Sequence, residues 1–173
     1  MIRLVIFDWG DTVMRDFPQF AGPMVGWPRV EAMPGIEGAL RALQADHQLA
    51  LASNAAESGA DRARAALARV GLESYFDPIL TARELGVSKP DPAFFEAILR
   101  ACDCLPHQAV MVGDSFRTDV VGAKQAGLWA VWMNLAGGVP PPDVPIRPDA
   151  DLRDLVDLPA AIRALAARAG ERP

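Results

Sequence analysis

A doubly wound α/β domain on a parallel sheet is the fold this sequence predicts, and three observations predict it. Short apolar runs at residues 3–7, 48–52, 109–112 and 130–133 are uninterrupted rather than alternating, as strands covered on both faces require. Between them lie helical patterns punctuated by prolines, caps and glycines. The chain has 173 residues, 51% of them hydrophobic, and no internal repeat, enough for one core without a metal or disulfide staple.

Taken in order, the first strand is Arg3-Leu-Val-Ile-Phe7, and a helix over 35–45 follows Pro34. The second strand spans 48–52, and a helix over 57–70 stops at Gly71. Pro78-Ile-Leu80 reads as a short extra strand. The helix over 92–101 begins behind Asp91 with proline at its first position. The run at 109–112 leads to a helix over 119–126 that stops at Gly127, followed by the strand at 130–133. Residues 137–158 form a proline-rich loop and tail segment, with five prolines between 137 and 148, and 159–169 form an Ala-rich packing helix. Alternation of this kind predicts a parallel sheet whose ligand chemistry lies at the carboxyl ends of the strands.

Composition narrows the function. Net charge is −5, with 22 acidic against 17 basic residues, which argues against a basic face for nucleic acid. No apolar stretch reaches the roughly 20 residues of a membrane span, so no membrane partner and a cytoplasmic location are expected. Cys102, Cys104 and His107 are one ligand short of a tetrahedral zinc site and read as two reduced thiols near a helix end. The only other histidine, His47, sits in a turn, so a Ser-His or Cys-His nucleophile is not expected. The basic residues divide into 15 Arg and 2 Lys, and Asn and Thr are scarce, so Lys89, Asn54 and Thr12 each ask for a local reason.

Four segments carry the chemistry. Asp8-Trp-Gly-Asp-Thr12 follows the first strand, and Ser53-Asn54 follows the second. Lys89-Pro-Asp-Pro92 precedes a helix, and Gly113-Asp114-Ser-Phe-Arg-Thr-Asp119 follows the fourth segment of sheet. Gathered carboxylates repel unless a cation neutralises them, and an all-oxygen site suits Mg²⁺. A phosphate there meets Ser53 as donor and Lys89 as counter-charge, and Asp8 can attack phosphorus.

In this order and at these strand ends, the four segments resemble the haloacid dehalogenase (HAD) superfamily, over a core from Ile6 to Leu128. The resemblance implies Asp8 as nucleophile and Mg²⁺ ligand, Ser53 and Asn54 as holders of the phosphoryl group, and Lys89 as the stabiliser of charge. It further implies Asp114 as a direct metal ligand, Asp119 as a ligand through water or an orienter of Lys89, and the Gly10 carbonyl as a metal ligand. One departure matters. Phosphatases of the family read Asp-x-Asp-Gly-Thr, whereas this chain reads Asp8-x-Gly10-Asp11-Thr12. Gly10 cannot transfer a proton, and loss of a positioned acid/base costs roughly 10²- to 10⁴-fold in rate. Either Asp11 reaches the leaving group instead, or turnover is slow, or the protein holds phosphate as a signal.

The expectation is one HAD-like domain over 1–173 without a separate cap, since only residues 13–33 are left for a flap or minimal cap. Its apolar residues, Phe17, Phe20, Met24, Val25 and Trp27, either contact a substrate or protein or fold back on the core edge. Such a site is open, so a large phosphorylated substrate or a second copy of the chain is the candidate to cover it. The expected function is Mg²⁺-dependent hydrolysis of a phosphate monoester. The alternatives are a phosphate- and Mg²⁺-binding regulatory protein and, third, a haloacid dehalogenase.

Overall fold

The computed structural model describes residues 1–170. Its six-stranded sheet comprises β1 (Leu4–Phe7), β2 (Gln48–Ser53), β3 (Ile79–Thr81), β4 (Ala109–Gly113), β5 (Trp129–Met133) and β6 (Ala150–Leu152). The order is β3-β2-β1-β4-β5-β6, with every neighbour parallel. Side chains of the central strands alternate between two apolar clusters. Val5 and Phe7, Leu49 and Leu51, and Val110 and Val112 face one cluster, while Leu4 and Ile6, Ala50 and Ala52, and Ala109 and Met111 face the other. That is why the runs are uninterrupted.

On the first face pack α1 (Ile36–Leu43), α2 (Ala60–Ala68) and α6 (Leu158–Gly170); on the second pack α4 (Pro92–Ala101) and α5 (Gly122–Gln125). The Asp91 carboxylate caps α4 by accepting from Ala93 N at 2.9 Å, leaving Pro92 in the first turn, where its missing N–H costs nothing. Trp129 and Trp132 are buried in the core, as expected.

Three elements differ from the sequence expectation. Residues 150–152, expected within the proline-rich loop and tail segment, form the edge strand β6. Its half-exposed Ala-Asp-Leu carries no apolar run; it is held instead by Asp149, which accepts from Ala130 N at 2.9 Å and from Lys124 Nζ at 2.7 Å. A one-turn helix, α3 (Ala82–Leu85), follows β3. The helix expected over 119–126 starts earlier, as a π-helical turn over Phe116–Val121 that runs into α5.

Residues 13–33 fold back. Their two ends pair, with Arg15 N donating to Glu31 O at 2.8 Å and Met33 N to Val13 O at 2.9 Å. Met24 and Trp27 are buried, and Phe17, Phe20 and Trp27 pack with ring centroids 5.6–6.4 Å apart. Arg69, the C-cap of α2, donates to the carbonyls of Val25 and Trp27 at 3.1 and 2.6 Å. The segment is therefore a fixed wall against α2.

Candidate active site

The β-sheet register sets the site. Phe7 pairs with Leu51 on one side and Val112 on the other, so Asp8, Ser53 and Asp114 emerge at similar heights from three adjacent strands. Asp8 N donates to Val112 O at 2.9 Å, which fixes the nucleophile candidate on the strand end.

Lys89 reaches this point from the loop before α4. Its buried ammonium donates to Asp8 Oδ1, to Asp119 Oδ1 at 2.8 Å and to Ala52 O at 3.0 Å, which uses all three protons. Burial alone would lower the Lys89 ammonium, but Asp8 and Asp119 outweigh it and hold the group above its ordinary value. Lysine suits the task because a compact charge meets three acceptors in different directions, which the planar fork of arginine cannot do in this geometry.

Asn54 holds Lys89 in place. Its side chain donates to Lys89 O at 2.9 Å and accepts from Lys89 N at 2.8 Å. The amide expected at a phosphoryl group is thus engaged on both its functions with the backbone of the lysine. Ser53, buried at the end of β2, accepts from Ala55 N at 3.1 Å through Oγ, which leaves its hydroxyl proton for another acceptor. The Thr12 hydroxyl is fully buried and has no partner among the described residues.

Asp119 is buried, with Oδ1 on Lys89 and Oδ2 accepting from Ser115 N at 3.0 Å. Gly113 makes room for it: a Cβ there would lie 2.2 Å from Asp119 Oδ2. Burial and Asp8 push the Asp119 carboxyl above the ordinary range even though Lys89 pulls it down. Burial, and then Asp8, Asp119 and Asp11, push Asp114 up to about 7.

Asp8, Asp114 and Asp119 each offer an oxygen within 4.8 Å of the others, the one such cluster of potential metal ligands among the described residues. The cysteines are free, and no cluster forms around Cys102, Cys104 and His107. The acidic cluster fits a hard divalent cation: the donors are all oxygen, and the single charge of Lys89 pairs with Asp8 and Asp119 but does not balance both and forms no ion pair with Asp114.

The reversed pair has a structural basis. Asp11 sits at φ +50, in the left-handed region that glycine fills comfortably and that aspartate tolerates. Gly10 has no positive φ, and a Cβ built on it meets nothing nearer than Asp16 Cβ at 3.9 Å. A side chain therefore fits at residue 10. Asp11 Oδ1 accepts from Asp16 N at 3.0 Å, and Asp11 lines a hollow with Asp114, Trp132 and Asn134. A separate cavity of about 290 Å³ opens beside Ser53, walled by Trp9 and Gly10 of the turn after β1, by Asp16, Met24 and Trp27 of the folded-back segment and by α2. Sequence pattern does not point to Asp16, which only the folding back of residues 13–33 brings to this cavity, or to Arg69, which bonds that segment from the end of α2.

Residues 10–127 match the family described as haloacid dehalogenase-like hydrolase. The chain belongs to that family. Among curated relatives it is 40% identical over 95 residues to the phosphoserine phosphatase of Thermus thermophilus, covering 55% of this chain and 37% of that protein. It is 41% identical over 68 residues to the glyceraldehyde 3-phosphate phosphatase of Methanothermobacter thermautotrophicus, covering 39% and 30%. The chain thus spans about a third of the length of these relatives. Over nearly its whole length it superimposes on an uncharacterized protein from Listeria monocytogenes, with TM-score 0.86, 28% identity and coverage of 96% and 99%. The 2-haloacid dehalogenase from Pseudomonas syringae shares the fold, with TM-score 0.79, 24% identity and coverage of 95% and 99%. Among the described residues no helix is long and apolar enough to cross a membrane.

Proposed function

We propose that this HAD-family chain hydrolyses phosphate monoesters through a phosphorylated Asp8, with a divalent cation of the Mg²⁺ type in its acidic cluster. The observation that carries the reading is the ammonium of Lys89, buried between Asp8 and Asp119 and bonded to the carbonyl of Ala52, the residue before Ser53. A carboxylate held at a strand end by a buried cation, with a hydroxyl one strand away, suits displacement at phosphorus. Matches to phosphatases support it.

Asp8 and Asp114, with the Gly10 carbonyl, would hold the cation, which supplies charge neutralisation for the incoming phosphate. Lys89 opposes the charge that grows on the phosphoryl oxygens, and Ser53 donates its free proton to one of them. Asp8 attacks phosphorus, and the ester oxygen departs toward the 290 Å³ cavity. Water then cleaves the acyl phosphate, returning Asp8 as a carboxylate. Asn54 and Asp119 are positioning residues, one for the lysine backbone and one for its ammonium. The cavity, at about 290 Å³, falls just under the roughly 300–1,000 Å³ of small-molecule sites and is open to solvent, so it has room for a small alcohol or phenol, or for the reacting end of a larger one.

The test is release of 4-nitrophenolate from 4-nitrophenyl phosphate with Mg²⁺, comparing wild type with Asp8→Asn. Expected is turnover in wild type, none in the variant, and a phosphoryl group on wild-type protein that hydroxylamine removes. Equal rates in the two proteins would end the enzyme reading. The second reading, a phosphate-binding regulatory protein, is favoured by the absence of a carboxylate at Gly10; phosphate binding without turnover would support it.

A further inference from the structure

We propose that Asp16 is the proton-transfer residue of this site, standing where the carboxylate missing from Gly10 would act. The inference rests on the phosphatase reading above and goes beyond it by naming a residue outside the four segments. Three observations carry it.

The first is proximity. The nearest heavy atom to a Cβ built on Gly10 is the Cβ of Asp16, at 3.9 Å. Side chains from residues 10 and 16 would therefore start side by side, in van der Waals contact at their Cβ atoms. The second is the cavity. Asp16 lines the 290 Å³ space together with Ser53, Gly10 and Trp9, where the departing alcohol would lie. Asp11 lines the other hollow, beside Asp114, and so stands on the side of the acidic cluster. The third is availability. The Asp16 backbone is anchored by its N–H to Asp11 Oδ1 at 3.0 Å, while its exposed carboxylate has no hydrogen-bond or ion-pair partner among the described residues.

The proton ledger closes with Asp16 alone. As Asp8 Oδ bonds to phosphorus, the ester P–O bond breaks and the leaving oxygen takes the proton of the Asp16 carboxylic acid, departing as alcohol. The Asp16 carboxylate then takes a proton from a water whose oxygen attacks phosphorus. The bond from phosphorus to Asp8 breaks, inorganic phosphate leaves, and both aspartates return to their starting states.

The experiment compares wild type, Asp8→Asn, Asp11→Asn, Asp16→Asn and Gly10→Asp/Asp16→Asn on propyl phosphate and 4-nitrophenyl phosphate with Mg²⁺. An alkoxide needs a proton to leave and a nitrophenolate does not. Asp16→Asn is expected to lower kcat on propyl phosphate by about 10²- to 10⁴-fold, the usual worth of a positioned acid/base. On the aryl ester it is expected to keep a burst of nitrophenolate followed by slow turnover, because only the attack of water still needs a base. Gly10→Asp in the same chain is expected to restore at least about ten-fold of the loss. Asp16→Asn matching wild type on both esters while Asp8→Asn is inactive overturns the role of Asp16 and leaves the phosphatase reading standing. An equal loss on both esters without a burst also overturns it, as does an ester-dependent loss in Asp11→Asn instead. Wild type no faster than Asp8→Asn on either ester overturns both readings.

Discussion

Replacing Lys89 with methionine keeps the length of the stem and removes the charge, which leaves Asp8 and Asp119 facing each other across a buried gap. Their oxygens lie within 4.8 Å, and two unit charges at that distance repel by about 3 kcal/mol at an effective dielectric constant of 20. Deleting one partner of a buried ion pair costs about 3–5 kcal/mol, so the metal-free variant is expected to lose that much at pH 8. In a chain of this size the loss corresponds to a fall in Tm of about 6–20 °C. The loss depends on pH with a definite sign. Asp119 already titrates above its ordinary range, and without Lys89 it moves further up. A carboxyl raised in the folded state contributes stability that is full below its unfolded pKa and is lost as pH rises through the folded value. A proton then takes the place of the ammonium more fully at pH 6 than at pH 8. Urea unfolding in EDTA at the two pH values reads this directly. Asp119→Asn added to Lys89→Met is expected to recover part of the loss at pH 8, since the two sites are coupled. A loss under about 1 kcal/mol at pH 8, below the expected cost of breaking a buried pair, would refute the reasoning.

Two further expectations follow from the site and its wall. Burial and three neighbouring carboxylates push Asp114 up to about 7, so in metal-free protein this group favours the fold below pH 4 and disfavours it increasingly up to pH 7. A cation competes with that proton. Saturating Mg²⁺ is therefore expected to raise Tm more at pH 8 than at pH 5, and an equal rise at both would count against Asp114 as a ligand. Arg69→Ala removes the bonds that tie Val25 and Trp27 to α2; it is expected to cost about 1–2 kcal/mol and to speed proteolytic cleavage between residues 15 and 30, and unchanged cleavage would mean that aromatic packing alone holds the wall.

The central strands were legible because each is buried on both faces, which writes β1, β2, β4 and β5 as plain apolar runs. The edge strand β6 was not, because one neighbour suffices to hold it and its anchor is the Asp149 carboxylate rather than an apolar side chain. The π-helical turn at Phe116–Val121 was not legible either. The same residues support an ordinary helix, and the turn places Asp119 where it can accept from Ser115 N and from Lys89. Within the site, strand ends made Asp8, Ser53 and Asp114 readable, and the scarcity of lysine made Lys89 readable. The resemblance implies Asn54 as a holder of the phosphoryl group, and the structure adds a second task, its amide spanning the Lys89 backbone. That role depends on a contact 35 positions away in the chain, which no local pattern records.

The reversed Asp-Gly pair shows how a backbone constraint can be met while a side chain changes place. The turn after β1 needs a residue tolerant of positive φ at position 11 and an ordinary one at position 10. Glycine at 11 would satisfy the first demand with least strain, but aspartate tolerates the left-handed region because its short carboxylate bonds locally, here to Asp16 N. The same bond fixes the start of the folded-back segment. The exchange thus places one carboxylate beside Asp114 and anchors the backbone of Asp16, whose residue lines the cavity. Removing the Asp11 carboxylate would then act on two things together. It would lower the repulsion that raises Asp114, and it would release the backbone of Asp16. The residue at position 11 is in this sense coupled to both the metal side and the leaving-group side of the site, without having to touch the substrate itself.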